Sequence, residues 1–142
     1  MTPEEMAALH ARAFAGQGRG WRAGEIRALL ESGHVLAVSR PGGFALIRIV
    51  ADEGELLTIA SDPELRRQGI GRALLAEAES VAHAQGAARM MLEVACDNAA
   101  ALALYARAGY CQSACRKRYY ARPDGRRADA LILEKDLCKS GV

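Results

Sequence analysis

Arg66-Arg67-Gln68-Gly69-Ile70-Gly71-Arg72 gathers three arginines and two glycines where an apolar helical pattern begins. Glycine lets a backbone approach a ligand closely. The free N–H groups and positive dipole end of a helix face the same place. The stretch is an anion site in outline, against the plainer reading of an arginine-rich turn that stays in water. It is not a nucleotide P-loop, because G-x-x-x-x-G-K-[ST] is absent. It is not a dinucleotide fingerprint either, because Leu74 stands where the third Gly or Ala belongs. Two further residues could do chemistry. Glu93 interrupts the apolar run Met90-Met91-Leu92-Glu93-Val94-Ala95. An unpartnered carboxylate in a buried strand is costly, so Glu93 either faces a cleft or has a partner. In a partly apolar cleft its pKa would rise, which suits a general base. The alternative is a Glu on the outer side of a sheet, or one paired with Arg89 or another arginine. Tyr105 follows Asn98 by seven residues, two helical turns, so both lie on one helix face. A phenol there could protonate a leaving group, or its ring could simply pack in the core.

The elements around these residues follow from the pattern. Leu56 to Ser61 reads as a buried strand, Asp62 to Leu65 as a turn, and the helix after Gly69 as ending near Gly86. In that helix Ile70, Leu74, Ala78 and Val81 share one face, with Glu77 and Glu79 expected away from it. Arg89–Ala95 is the next strand, and a helical crossover makes it parallel to the strand before. Asp97-Asn98 caps a helix over Ala99–Ala108, closed by Gly109. Tyr110–Tyr120 and Ala130–Leu137 form a last hairpin, its loop Ala121–Asp129 holding Pro123-Asp124-Gly125.

Upstream, Thr2-Pro3-Glu4-Glu5 is a helix start with capping-box spacing, and Met6, Leu9, Ala13 and Phe14 give the stripe. Gly16 to Gly20 is a loop, and a second helix runs roughly from Ala23 to Glu31 with Ile26, Leu29 and Leu30 inward. His34–Ser39, Phe44–Val50 and Glu55–Ser61 then form an antiparallel meander. The expected fold is a single α/β domain over residues 1–142, a mixed and mostly antiparallel sheet with helices on both faces.

Composition narrows the function classes. Hydrophobic content of 51% and charged content of 25% are ordinary for a soluble protein, and a net charge of +2 gives no case for nucleic acid. No apolar run approaches the roughly 20 residues of a membrane helix. Cys96, Cys111, Cys115 and Cys138 show no C-x-x-C spacing, and with 3 histidines there is no zinc constellation, so no metal is expected. The cysteines read as reduced and the compartment as cytoplasmic.

Arg66-Arg67-Gln68-Gly69-Ile70-Gly71, placed after a strand and Asp-Pro and before a helix, resembles the acetyl-CoA loop [QR]-x-x-G-x-[GA] of the GNAT N-acetyltransferases. Leu92-Glu93-Val94, Asn98 to Tyr105, Gly109-Tyr110, Arg118-Tyr119-Tyr120 and Asp124-Gly125-Arg126 resemble the RimI type within that family, enzymes of protein N-terminal alanine. The likeness runs from about Leu57 to Leu133 and thins out from Met1 to Glu55. It implies a GNAT fold whose first strand is short or missing here. It implies that Arg66, Arg67, Gln68, Gly69, Ile70, Gly71 and Arg72 cradle the coenzyme A pyrophosphate. Ile59, Ala60 and Ser61 would pair with the pantetheine arm through backbone groups, and Asn98 would contact that arm. Glu93 would be the base, through a water, and Tyr105 the acid for the departing thiolate. Acetyl-CoA would enter where the Glu55–Ser61 and Arg89–Ala95 strands splay apart.

The acceptor implied is a protein or peptide N-terminus, a ribosomal protein among the candidates, with the chain a monomer or weak dimer. A small amine, a lysine side chain, or a silent acyl-CoA-binding module are the alternatives. Trp21 is either a packing anchor or a wall of the peptide pocket. Tyr119 and Tyr120 would line the peptide slot, and strand alternation lets only one of them face it. Arg116-Lys117-Arg118 reads as a solvated hairpin edge, Cys96 as a small apolar filler, and His34 and His83 as surface or packing residues. His10 lies close enough to the Gly16–Gly20 loop to approach substrate but is not among the expected catalysts.

Overall fold

The computed structural model describes residues 1–15, 20–65 and 68–137. Helices α1 (Pro3–Ala13) and α2 (Ala23–Glu31) come first, followed by strands β1 (Val35–Arg40), β2 (Gly43–Val50) and β3 (Glu53–Ser61). After a 3-10 turn at Pro63–Leu65 come α3 (Ile70–Ala84), β4 (Arg89–Ala95), α4 (Ala99–Arg107), β5 (Cys111–Ala121) and β6 (Arg127–Asp136). Among the described residues no strand precedes α1, and no helix is long and apolar enough to cross a membrane. The start of α1 is as its sequence dictates: Thr2 Oγ1 accepts from the Glu5 N–H at 3.1 Å, and Glu5 Oε1 accepts from the Thr2 N–H at 2.7 Å.

The strands form one sheet in the order β1-β2-β3-β4-β6-β5. Neighbours are antiparallel except β3 with β4, which run parallel. Both faces are covered. Phe44, Leu46 and Ala60 pack with Met6, Leu9 and Ile26 of α1 and α2. Ala45, Ile47, Leu56, Leu92 and Val94 pack with Leu74, Leu75, Ala78 and Ala82 of α3. The run Phe44–Ile47 is buried throughout for this reason: its alternate side chains enter different cores.

Two irregularities shape the middle of the sheet. On β3, Leu46 faces Thr58 while Ile47 faces Leu56, so Leu57 is an extra residue with no partner on β2. This β-bulge turns the strand. Leu56 enters the α3 core, Leu57 and Thr58 both face α1 and α2, and Ile59 returns to the α3 side. Pairing of β3 with β4 runs from Glu53–Arg89 to Leu56–Leu92 and ends there, at the bulge. Beyond it the strands separate, and the edge of β3 from Leu57 onward lies open toward β4.

The close seat of α3 on β2 depends on Gly43. A Cβ there would stand 2.7 Å from Leu74 Cδ1, 2.8 Å from Ile70 Cγ2 and 2.9 Å from the Ala60 carbonyl oxygen. Only glycine lets the first turn of α3 lie against the strands at that distance. The start of α3 is thereby fixed beside the far end of β3.

Three expectations need correction. Strand β6 begins at Arg127 rather than Ala130, because the turn is tight: the Arg122 N–H donates to the Arg126 carbonyl at 2.9 Å and the Gly125 N–H to the Arg122 carbonyl at 3.0 Å. Glu79 does not lie away from the protein. Its carboxylate accepts from the Tyr110 hydroxyl and from Lys135 Nζ, both at 2.8 Å, while Glu77 is exposed as expected. Cys96 is exposed, not a core filler, because it lies past the last buried residues of β4, Val94 and Ala95.

Candidate active site

The opened edge of β3 presents alternate backbone groups. The Asp62 N–H donates to the Gly42 carbonyl at 2.7 Å, so with the register Gly43–Ser61 and Phe44–Ala60 the groups of Ala60 point to β2. Those of Ile59 and Ser61 point to the open side. Ile59 and Ser61 can therefore take an extended ligand arm as an added strand would be taken, while Ala60 supplies a side chain to the α1–α2 core.

At the end of that edge stands the N-terminus of α3. Gly69 is its N-cap at φ 73° and ψ 17°, a left-handed conformation that suits glycine. Among the described residues no side chain caps the helix, and no acidic residue occupies its first turn. By contrast Thr2 caps α1 and Asn98 caps α4. Among the described residues, nothing lies within 4 Å of where a Gly69 Cβ would stand. Gln68, Gly69 and Arg72 are exposed there, whereas Ile70 packs its side chain into the α3 core and offers the site only its N–H. Arg66 and Arg67 lie outside the described residues. Uncapped N–H groups and an exposed arginine together suit a phosphate-bearing ligand.

Helix α4 runs beside this loop, with Leu104 Cδ2 3.6 Å from where a Gly71 Cβ would be. Asn98 Oδ1 accepts from the Ala101 N–H at 3.2 Å, which commits its oxygen to the cap. The Tyr105 ring is buried and meets the Tyr110 ring edge-on at 5.7 Å. Burial pushes the Tyr105 phenol well above its ordinary value, so it holds its proton at neutral pH. Among the described residues no sealed polar side-chain atom lacks a partner. The Tyr105 hydroxyl makes no hydrogen bond among the described residues, so it is not sealed from solvent. The ring anchors in the core while the hydroxyl stays available, so the two readings of Tyr105 are compatible.

Glu93 lies on β4 just past the point of separation, on the α1–α2 side of the sheet, with its side chain 27% exposed. It has partners. The Tyr120 hydroxyl donates to Oε1 at 3.2 Å, and Arg116 Nε lies 3.6 Å from Oε2. Arg89, the first partner considered from sequence, is engaged instead by Glu53 and by Glu134. Arg116 also stands over the Tyr119 ring at 5.0 Å, and the Tyr119 and Tyr120 rings meet edge-on at 5.2 Å. Arg122 closes the group. It grips Asp97 through Nε at 2.8 Å and Nη2 at 2.7 Å, and stands over the Tyr120 ring at 5.4 Å. Burial, then the charge of Glu93, pushes the Tyr120 phenol up to about 12.

Tyr119 and Tyr120 do not alternate as a regular strand would require. The register of β5 on β6 slips between Arg116 and Tyr120, and Arg118 has φ 52°. Asp129 Oδ1 accepts from the Arg118 N–H at 2.9 Å, and Arg127 Nε donates to the Arg118 carbonyl at 2.8 Å. This clamp holds a left-handed residue just before the two tyrosines and lets both rings serve one corner. Tyr119 is 47% exposed.

Trp21 is half-buried, packed with the α1–α2 core and stacked on His10 at 5.4 Å. His10 itself is 4% exposed. Its Nε2 lies 3.2 Å from Thr58 Oγ1 in the bulge, and its Nδ1 accepts from the Trp21 N–H at 3.3 Å. Sequence reasoning passed over Arg116 as a solvated edge. No local signal marks its reach to Glu93, because the register of β5 slips between Arg116 and Tyr120. For the His10–Thr58 contact, which joins residues 48 apart in the chain, no local signal exists.

Comparison with known proteins fits this geometry. The model of the acetyltransferase (GNAT) family matches residues 8–110. The ribosomal protein bS18-alanine N-acetyltransferase of Escherichia coli K12 is 44% identical over 90 residues, 63% of this chain and 60% of that protein. The enzyme of the same name from Salmonella typhimurium is 38% identical over 97 residues, 68% of this chain and 65% of that protein. The matches thus span less than two thirds of the length of these relatives. The crystal structure of the E. coli ribosomal-protein-S18-alanine N-acetyltransferase superposes with a TM-score of 0.81 at 33% identity, covering 92% of this chain and 84% of the other. Chaetomium thermophilum Naa20 in complex with a bisubstrate analogue, at 21% identity and a TM-score of 0.79, shares the fold.

Proposed function

Since the chain belongs to the GNAT family of acetyltransferases, we propose that it transfers an acetyl group from acetyl-CoA to the N-terminal α-amine of a protein, with alanine as the acceptor residue. The observation that carries this reading is the meeting of three features at one place. They are the open edge of β3 past Leu56, the uncapped N-terminus of α3 at its end, and Glu93 on β4 just past the same opening. The Escherichia coli and Salmonella relatives, whose names state this acceptor, support its choice. A ribosomal protein is accordingly the partner class we propose.

Acetyl-CoA supplies the acetyl thioester. The α3 N-terminus with Gln68, Gly69, Gly71 and Arg72 would hold its pyrophosphate, together with Arg66 and Arg67, and the outward groups of Ile59 and Ser61 would hold its arm. Asn98 has a side-chain amide nitrogen left for that arm once its oxygen caps α4. An outward N–H of β3, of which Ile59 is the first past the bulge, is placed to donate to the carbonyl oxygen as negative charge develops there. Glu93, through a water, takes the proton from the attacking amine as the N–C bond forms. As the C–S bond breaks, Tyr105 gives its proton to the sulfur. No enzyme nucleophile is needed, and no cysteine has that role. Trp21, Tyr119 and Tyr120 would border the acceptor.

The α-amine is the acceptor such a base can serve. Its pKa is about 8, against about 10.4 for lysine, a difference of about 3 kcal/mol in freeing the amine. The test is thiol release from acetyl-CoA with two peptides, one carrying a free N-terminal Ala and the other a blocked N-terminus and an internal Lys. Release with the first alone supports the proposal. Release with the second alone overturns it in favour of a lysine acetyltransferase. Tight acetyl-CoA binding with no release from either overturns it in favour of a small-amine enzyme or a silent module.

A further inference from the structure

We propose that His10 is a positioning residue of the acceptor site, fixing Trp21 to the bulge of β3 through two hydrogen bonds made by one neutral ring. The proposal rests on the acetyltransfer reading only for the identity of the acceptor. His10 is the buried histidine of α1, and the proton donors and acceptors around it define its state. Nδ1 accepts from the Trp21 backbone N–H at 3.3 Å, so it carries no proton. The proton is therefore on Nε2, which points at Thr58 Oγ1 at 3.2 Å. Thr58 accepts on that side, so its own hydroxyl proton is directed away from His10, and no protein acceptor for it is found among the described residues. The ring is held flat by Phe14 at 4.4 Å and Trp21 at 5.4 Å, both inclined by 24°.

The two ends of this tie matter for different reasons. Thr58 directly follows the extra residue Leu57, where β3 leaves β4, and it faces the same side of the sheet as Glu93. Trp21 comes just before α2 and is a proposed wall of the acceptor pocket. His10 therefore sets the distance between one wall of that pocket and the strand that opens the acetyl slot. Glycine at position 20 serves the same closeness, since a Cβ there would meet Ala11 Cα at 3.2 Å and His10 Nδ1 at 3.5 Å. Among the described residues, the neighbours of the ring, Thr58, Phe14, Trp21 and Gly20, carry no charge.

Three substitutions separate hydrogen bonding from packing. His10→Phe keeps the ring volume and both stacks but loses both bonds. His10→Asn places an acceptor near the Nδ1 position and keeps the Trp21 bond. His10→Gln places a donor near the Nε2 position and keeps the Thr58 bond. Acceptor KM, kcat, acetyl-CoA affinity and the emission of Trp21, the chain's single tryptophan, are measured for each, with Thr58→Val alongside.

The proposal expects acceptor KM to rise about tenfold in His10→Phe, with smaller rises in His10→Asn and His10→Gln. Acetyl-CoA affinity should hold, kcat should stay within about twofold, and Trp21 emission should shift most in His10→Phe. If packing alone matters, His10→Phe is the mildest of the three, and that order overturns the proposal. If the wild type acetylates no peptide, the acceptor reading has failed rather than this one. The emission then decides, and an unchanged Trp21 spectrum in both His10→Phe and Thr58→Val overturns the tie.

Discussion

The Tyr120 hydroxyl on edge strand β5 reaches across β6 to donate a 3.2 Å hydrogen bond to Glu93 Oε1 on β4. The proposed base is thus oriented by a residue that is also proposed to border the acceptor. Glu93→Gln keeps the shape of the side chain and removes its basicity. It should lower kcat by about 10²- to 10⁴-fold at neutral pH and leave acetyl-CoA binding unchanged. Tyr120→Phe removes the orienting bond alone and should cost about tenfold. Because the Tyr120 phenol is pushed up to about 12, it stays protonated across the working range, so the Tyr120→Phe deficit should be constant from about pH 6 to about pH 9. Thiol-release kinetics on the three proteins check this. Full activity in Glu93→Gln would remove Glu93 from the mechanism.

The clamp on Arg118 makes a separate prediction. A non-glycine residue in the left-handed region costs about 1–2 kcal/mol, and here Asp129 offsets that by accepting the Arg118 N–H at 2.9 Å. That hydrogen bond is also the main reason the Asp129 carboxyl lies below its ordinary value. Asp129→Ala should let Arg118 relax and separate the Tyr119 and Tyr120 rings. Acceptor KM should rise about five- to tenfold, with acetyl-CoA affinity unaltered because the α3 loop is untouched. Steady-state kinetics against each substrate in turn will show it. Equal losses for both substrates would mean that the hairpin supports the whole domain rather than the acceptor side.

Gly43→Ala tests the seat of α3. One of the three atoms its Cβ would strike is the backbone oxygen of Ala60, at 2.9 Å, which cannot rotate away. Overpacking of this kind costs about 1–3 kcal/mol, a loss of several degrees in Tm. The first turn of α3 should be pushed off the strands, so acetyl-CoA affinity should fall too. Gly69→Ala is the contrast. With no atom of the described residues within 4 Å of its Cβ and φ at 73°, it should suffer only the left-handed penalty of about 1 kcal/mol. Thermal melts with and without acetyl-CoA measure both. Equal stability of the two variants would sink the packing argument.

These residues also show where the sequence was readable. The helix starts at Thr2 and Asn98, the turn at Pro123-Asp124-Gly125 and the Gly69 loop are set by residues within a few positions of one another, so local chemistry reveals them. The parallel pairing of β3 and β4 followed from the helix between them. The bulge at Leu57 was invisible, because an extra residue in an apolar strand changes register without changing composition. The bulge before Tyr119 was hidden similarly, and it overturned the expectation that the two tyrosines alternate. Glu79 was misplaced because its exposure depends on Tyr110 and Lys135, which are 31 and 56 residues away. Contacts at that separation are decided by packing, which periodicity within one helix does not encode.

His10 gives the protein a pH dependence with a definite sign. Burial lowers its pKa from 6.5 to about 4. The unfolded chain therefore takes up a proton near pH 6.5, while the folded protein stays neutral at this site until about pH 4. Between those values the unfolded state binds more protons, so stability falls as pH falls. The stability is fully present above pH 6.5 and the loss is complete below about pH 4. A shift of this size corresponds to about 3 kcal/mol. Asp62, Asp97, Asp124 and Asp129 also lose stability in acid. Their carboxyls lie below the ordinary 3.8 because of Arg12, of Arg122, of the Arg126 N–H and of the Arg118 N–H respectively, so their window opens lower. Urea unfolding at about pH 7 and about pH 4.5 separates the groups, since His10 titrates through that interval, whereas Glu5, held below its ordinary 4.5 chiefly by the Thr2 backbone N–H, enters only at its lower end. The wild type should lose about 2–3 kcal/mol between the two, and His10→Phe, which has no proton to take up in either state, should lose much less. An identical loss in both proteins would show that the ring is protonated in the folded state, which is incompatible with its acceptor bond from the Trp21 N–H.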